Sequence, residues 1–128
     1  MSIEPKFSIK VNSKDREILM SYGLLNALTS LCQDPTEASM IQLDPELRNK
    51  VLAATLAERK PSGKVTKEFD AEDIDAELEK IEDLLAWVQD HLIAFFLRST
   101  QRTLANQKKY EKDFRELAPQ SSSDGSPA

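Results

Sequence analysis

The chain has 128 residues, with 17 Lys and Arg against 22 Asp and Glu, one His and one Cys. That length suits one modest domain, whose folding would bury roughly two thirds of the surface the unfolded chain exposes. A net charge of −5 argues against a mainly electrostatic grip on nucleic acid or an anionic membrane, and a single cysteine excludes an intrachain disulfide, which suits a reducing compartment.

The opening run MSIEPKFSIKV has no apolar core of the kind a secretory leader needs, and no apolar run approaches the roughly 20 residues that span a bilayer. The expectation is a soluble, intracellular protein. Phe7, Ile9 and Val11 alternate with Ser8 and Lys10, and the polar cluster Asn12 to Asp15 precedes Arg16 to Met20, a pattern that fits two short strands and a turn. A helix capped by Asn12 or Ser13, with Ile18, Tyr22, Leu25 and Leu28 on one face, fits the same residues. Tyr22 to Cys32 is helical by pattern on either reading, although Gly23 inside a helix costs about 1 kcal/mol relative to Ala. Cys32 sits in an apolar stretch and reads as a small core residue.

Asp34-Pro35 and Asp44-Pro45 each place a capping carboxylate before a proline at the first helical position, so both mark helix starts. The second helix is expected from Pro45 to about Arg59, with Leu47, Val51, Leu52 and Leu56 inward. Pro61, Ser62 and Gly63 then stop it, and the basic stretch 59–69 (Arg59, Lys60, Lys64, Lys67) reads as a hinge loop. Asp70 is placed to cap a long helix to Arg98, whose first turns carry Glu72, Asp73, Asp75, Glu77 and Glu79. Ile74, Leu78, Ile81, Leu85, Val88, Leu92 and Phe95 recur at intervals of four and three, with Leu84 broadening the stripe. Beyond Leu92 the apolar residues Ile93, Phe95, Phe96 and Leu97 point nearly all round the helix, which demands cover on several sides. More helix is expected from Arg98 to Leu117, after a break near Ser99-Thr100. The tail 118–128 has no large apolar residue and reads as disordered. The fold class is therefore mainly α: a small helical domain over 1–117 with one long C-terminal amphipathic helix and, on the strand reading, an N-terminal β-hairpin.

No catalytic or metal motif is complete. Ser62-Gly63-Lys64 imitates a phosphate-binding loop, but Glu58 stands where that motif needs its first glycine and Val65 where it needs Ser or Thr. Asp73, Asp75 and Glu77 imitate a calcium loop, yet Leu78 replaces its glycine and Leu84 its bidentate acid. His91 neighbours Asp90 in sequence, and adjacent residues on a helix do not face each other. No nucleophile or second ligand accompanies it, so neither enzyme chemistry nor a cofactor is expected. Two readings remain: a helical protein that binds an apolar protein partner, and a small regulator or oligomerisation module touching nucleic acid through its basic C-terminal helix. Glu111, Asp113 and Glu116 interrupt that basic face and favour the first.

The segment FSIKVNSKDREILMSYGLLNALTSL resembles the opening of phage tail assembly chaperones, and Leu84 to Thr100 (LLAWVQDHLIAFFLRST), set between acidic and basic stretches, is similar to their apolar helix. The resemblance covers most of residues 7–104. It implies a non-enzymatic protein of the infected host's cytoplasm, absent from the mature virion, that keeps the tape measure protein soluble during tail building until tail-tube protein, itself a candidate partner, covers it. It also implies a homo-oligomer, and a frameshifted longer form made near the C-terminus. On this reading Leu78, Ile81, Leu85, Val88, Leu92 and Phe95 are core or self-association positions, and Trp87, His91, Phe96 and Leu97 are candidate partner contacts. The competing explanation is that the whole stripe is intramolecular core, as in most small helical domains.

Overall fold

In the computed structural model, which describes residues 3–117, β1 (Lys6–Val11) and β2 (Lys14–Leu19) form an antiparallel hairpin with Val11 opposite Lys14. Asn12 and Ser13 both take positive φ, 53° and 66°, the geometry a two-residue turn needs to match the twist of its strands. The alternation seen in the sequence follows: Ile9 and Val11 are buried with Ile18, while Lys10 and Glu17 are exposed. The hairpin, and not the competing N-terminal helix, occupies this stretch.

Ser21 caps α1 (Tyr22–Leu31) by accepting from the Leu24 N–H. Both Asp-Pro pairs begin helices as expected: Asp34 accepts from Glu37 N–H at the start of α2 (Pro35–Ser39), and Asp44 accepts from Glu46 and Leu47 N–H at the start of α3 (Pro45–Leu56). The second of these stops three residues short of the expected Arg59, because two arginines satisfy its last carbonyls. Arg16 Nη1 donates to Leu56 O at 2.6 Å and Arg59 Nη2 to Ala54 O at 2.9 Å, while Ala57 turns into extended geometry. The basic stretch expected as a hinge loop is instead largely a second hairpin, β3 (Glu58–Arg59) against β4 (Val65–Lys67).

The turn of that hairpin lies on the first turn of α1 through two glycines. A Cβ on Gly23 would stand 2.6 Å from the Gly63 carbonyl carbon, and Gly63 itself has φ +99°. Gly23 N–H donates to Ser62 O at 3.3 Å. The helix-weakening glycine of the sequence is thus the residue that lets two backbones touch.

The long helix starts later than its apolar spacing implies. Asp70 spends its side chain on a short 3-10 turn, Ala71–Asp73, and the chain then runs extended through Ile74. Asn12 at the hairpin tip holds the next residue from both sides: its N–H donates to Asp75 O and its Oδ1 accepts from Asp75 N–H, each at 2.7 Å. Helical geometry is incompatible with that clasp, so α4 begins at Leu78 and continues to Leu117 with no break at Ser99-Thr100. Ile74 leaves the helical stripe but still packs, half-buried, against the core. The chain divides into two compact units at the Phe96–Leu97 step, inside α4 and not at 59–69. The tail expected to be disordered, 118–128, lies outside the described residues.

The core of the first unit joins Ile9, Val11 and Ile18 from the hairpin, Leu24 and Leu28 from α1, Val51, Leu52 and Leu56 from α3, and Ile81, Leu84, Leu85, Val88 and Leu92 from α4. The glycine contact gives a test. Gly23→Ala gains at most about 1 kcal/mol of helix propensity, whereas overpacking typically costs 1–3 kcal/mol, here against backbone that cannot rotate away. Urea unfolding should show the variant less stable by about 1–2 kcal/mol; stability at or above wild type would mean that the two turns do not touch.

Candidate protein-interaction surface

The residues singled out on α4 separate into three groups. Ile81, Leu85, Val88 and Leu92 are core, together with Leu84. Trp87, expected at a partner surface, is only 7% exposed. Its indole N–H donates to the Glu4 carbonyl at 2.8 Å, and the ring meets Phe7 at 5.6 Å and His91 edge-on at 4.9 Å. His91 Nε2 lies 2.7 Å from the same Glu4 carbonyl. A carbonyl only accepts, so His91 donates and carries its proton on Nε2. Both side chains, singled out as candidate partner contacts, therefore bond the chain's own N-terminal segment.

Leu78, expected as a core or self-association position, is 72% exposed and so is not core. The Asn12–Asp75 clasp makes it the first residue of α4, one turn ahead of the buried stripe. Phe95 and Phe96 are half-buried with ring centroids 5.8 Å apart, and Phe96 packs on the core. Leu97 is 54% exposed. The core and self-association roles thus part company along the helix, with burial strongest between Ile81 and Leu92.

The second unit, from Leu97 to the end of α4, is a single helix in which every described residue except Ser99 is exposed through Glu116. Leu97, Leu104 and Phe114 fall within about a 100° arc at 3.6 residues per turn, and Tyr110 flanks Phe114 with ring centroids 6.3 Å apart. Six Arg and Lys (98, 102, 108, 109, 112, 115) stand around this stripe with only three acids among them (111, 113, 116). Arg115 pairs with Glu111 at 2.9 Å and Lys109 lies 5.3 Å from the Tyr110 ring centre. Exposed pairs of this kind contribute only a few tenths of a kcal/mol each, roughly 0.3–0.5. Leu104, Tyr110 and Phe114 were visible in the sequence at helical spacing, but their exposure was not.

Other reactive groups lie elsewhere. Cys32 is fully buried, and its thiol is pushed up first by that burial and then by the nearby Glu37 and Asp34 carboxylates, so it is a poor nucleophile. The Ser62-Gly63-Lys64 segment forms the β3–β4 turn, with Gly63 N–H donating to Lys60 O at 2.8 Å. No helix among the described residues is long and apolar enough to cross a membrane.

Comparison with models of known families, with curated proteins and with solved structures yields no match.

The two halves of α4 should answer mutation differently. Trp87→Ala removes a buried aromatic and its hydrogen bond and should cost about 3–5 kcal/mol. Leu104→Asp changes only exposed surface and should leave stability within about 0.5 kcal/mol of wild type. Thermal melts followed by circular dichroism separate them; an unchanged melting temperature for Trp87→Ala would return Trp87 to the interaction surface.

Proposed function

We propose that the protein is a non-enzymatic tail assembly chaperone that binds a phage tape measure protein and keeps it soluble in the host cytoplasm until tail-tube protein covers it, itself staying out of the mature virion. The observation that carries this reading is the exposed helix with Leu97, Leu104, Tyr110 and Phe114 uncovered. A helical segment of about 20 residues whose described side chains are nearly all exposed is marginal in water on its own, so a partner that covers the stripe also stabilises the helix that presents it. An elongated helical client offers matching apolar stripes, and helix-against-helix docking would read them at positions three, four and seven apart.

Reversibility follows from the same feature. Ordering a marginal helix on binding consumes part of the interaction free energy, which keeps affinity modest and release possible. Many copies, acting as a homo-oligomer or side by side along the client, would compensate through avidity. The basic residues of the segment favour an acidic client surface, and the interspersed Glu111, Asp113 and Glu116 disfavour a nucleic acid backbone as the partner.

Co-expression with a tape measure protein tests the reading. The wild-type chain should carry the client into the soluble fraction, and a Leu104→Asp/Phe114→Asp variant, still folded, should not. A client that stays insoluble with wild type removes the chaperone reading; full rescue by the double variant removes the assigned surface.

A further inference from the structure

Charge is divided unevenly along the chain. Residues 1–96, the first unit, carry 11 Lys and Arg against 18 Asp and Glu, a net −7, whereas residues 97–117 carry six against three, a net +3. The acids gather where α4 begins: nine lie within 68–83 with Lys80 as the sole base, and all nine are exposed. None of the nine is in an ion pair among the described residues, and of the described cations in the second unit only Arg115 is, with Glu111. Surfaces of opposite sign on one chain favour contact between copies when unlike faces meet.

Within each unit one helix face is laid out to use that difference. At about 100° per residue, Glu79, Asp83, Ala86, Asp90 and Ile93 fall within an arc of about 80°, roughly opposite the buried stripe. The three acids are exposed, and Ala86 and Ile93 are half-buried. In the second unit Leu97, Gln101, Leu104, Lys108, Glu111 and Arg115 fall within an arc of about 80° as well, and all six are exposed. Both rows advance by fours and threes, the spacing at which one helix lies along another.

Asp83 and Asp90 are separated by the same number of residues as Lys108 and Arg115, so both acids can meet both bases at once. In an antiparallel pair with Asp90 opposite Lys108 and Asp83 opposite Arg115, Leu104 falls against Ala94. A parallel pair with matched charges would set Leu104 against Glu79, which desolvates a carboxylate on an apolar residue.

We infer that residues 97–117 of α4 dock antiparallel on the acidic outer face of α4 in a second copy of this chain, with Asp90 opposite Lys108 and Asp83 opposite Arg115. Each copy carries both surfaces, and the contact closes in a dimer. The apolar residues supply the burial, and the exposed charges supply orientation and salt dependence more than affinity. The contact goes beyond the chaperone reading and stands without it, since no client enters it or its test.

Sedimentation velocity of the full-length protein over a dilution series tests this. Wild type should be a monomer–dimer system whose dissociation constant rises with added sodium chloride. Lys108→Glu/Arg115→Glu and Asp83→Lys/Asp90→Lys should each weaken dimerisation about tenfold or more, because like charges then face each other. An equimolar mixture of the two variants should associate as wild type does. Fluorescence of the buried Trp87 shows whether each variant is folded. Oxidation should trap dimers of an Asp90→Cys/Lys108→Cys variant and not of Glu79→Cys/Leu104→Cys; the reverse result would mean parallel packing and overturn the assignment. A wild-type chain that stays monomeric, association that neither charge variant weakens, or a mixture that fails to restore it also overturns the proposal. A wild-type monomer whose sedimentation changes only with added duplex DNA or anionic lipid vesicles overturns it in favour of a polyanion.

Discussion

The attachment of the N-terminal hairpin to α4 sets the geometry of the first unit. At the base of the hairpin the Glu4 carbonyl receives both Trp87 and His91, and at its tip Asn12 clasps the backbone of Asp75. Two strands alone are marginal in water. Here the inward residues Ile9, Val11 and Ile18 gain a helix to pack on, and the helix gains a fixed start and a fixed rotation. On the opposite side Gln89 does similar work for α2, donating to Ala38 O at 3.0 Å and accepting from Gln42 at 2.9 Å. Polar side chains of α4 therefore satisfy backbone that no helix or strand ladder pairs, while its apolar stripe fills the space between.

Much of this was legible in the sequence because the signals were local. The Asp-Pro pairs located two helix starts to the residue, since a side-chain cap and a proline act within one turn. Period-two alternation with a polar turn at Asn12-Ser13 offered the first hairpin beside a competing helix, and period 3.6 located the buried stripe of α4. What was not legible depended on contacts between residues far apart in the chain. The start of α4 at Leu78 depends on Asn12, 63 residues before Asp75. The end of α3 at Leu56 depends on Arg16, 40 residues before it. Glu58 and Arg59, continuous with a helical pattern, become a strand because that arginine and Arg59 itself take over the final carbonyls.

Burial along α4 does not follow apolar density alone. Apolar density is highest between Leu84 and Leu97, a stretch that the sequence leaves open between partner contact and intramolecular core. Most of that stretch is covered internally: Leu84, Leu85, Trp87, Val88 and Leu92 join the core with residues of the hairpin, α1 and α3, and the polar atoms of Trp87 and His91 find the main chain, whereas Leu97 stays exposed. Hydrophobicity measures how much surface must be covered but does not identify what covers it. The sparser residues that follow, Leu97 to Phe114, are the ones left facing water.

The same logic separates the two kinds of unsatisfied group in the molecule. An exposed apolar side chain on a lone helix costs little while it waits, because nonpolar atoms make up more than half of any protein surface and a stripe this narrow is tolerated. A buried polar atom without a partner costs more per atom, because it has given up its hydrogen bonds to water. The arginine that ends α3 and pins the β3–β4 turn is thus held in place by two bonds that serve the fold.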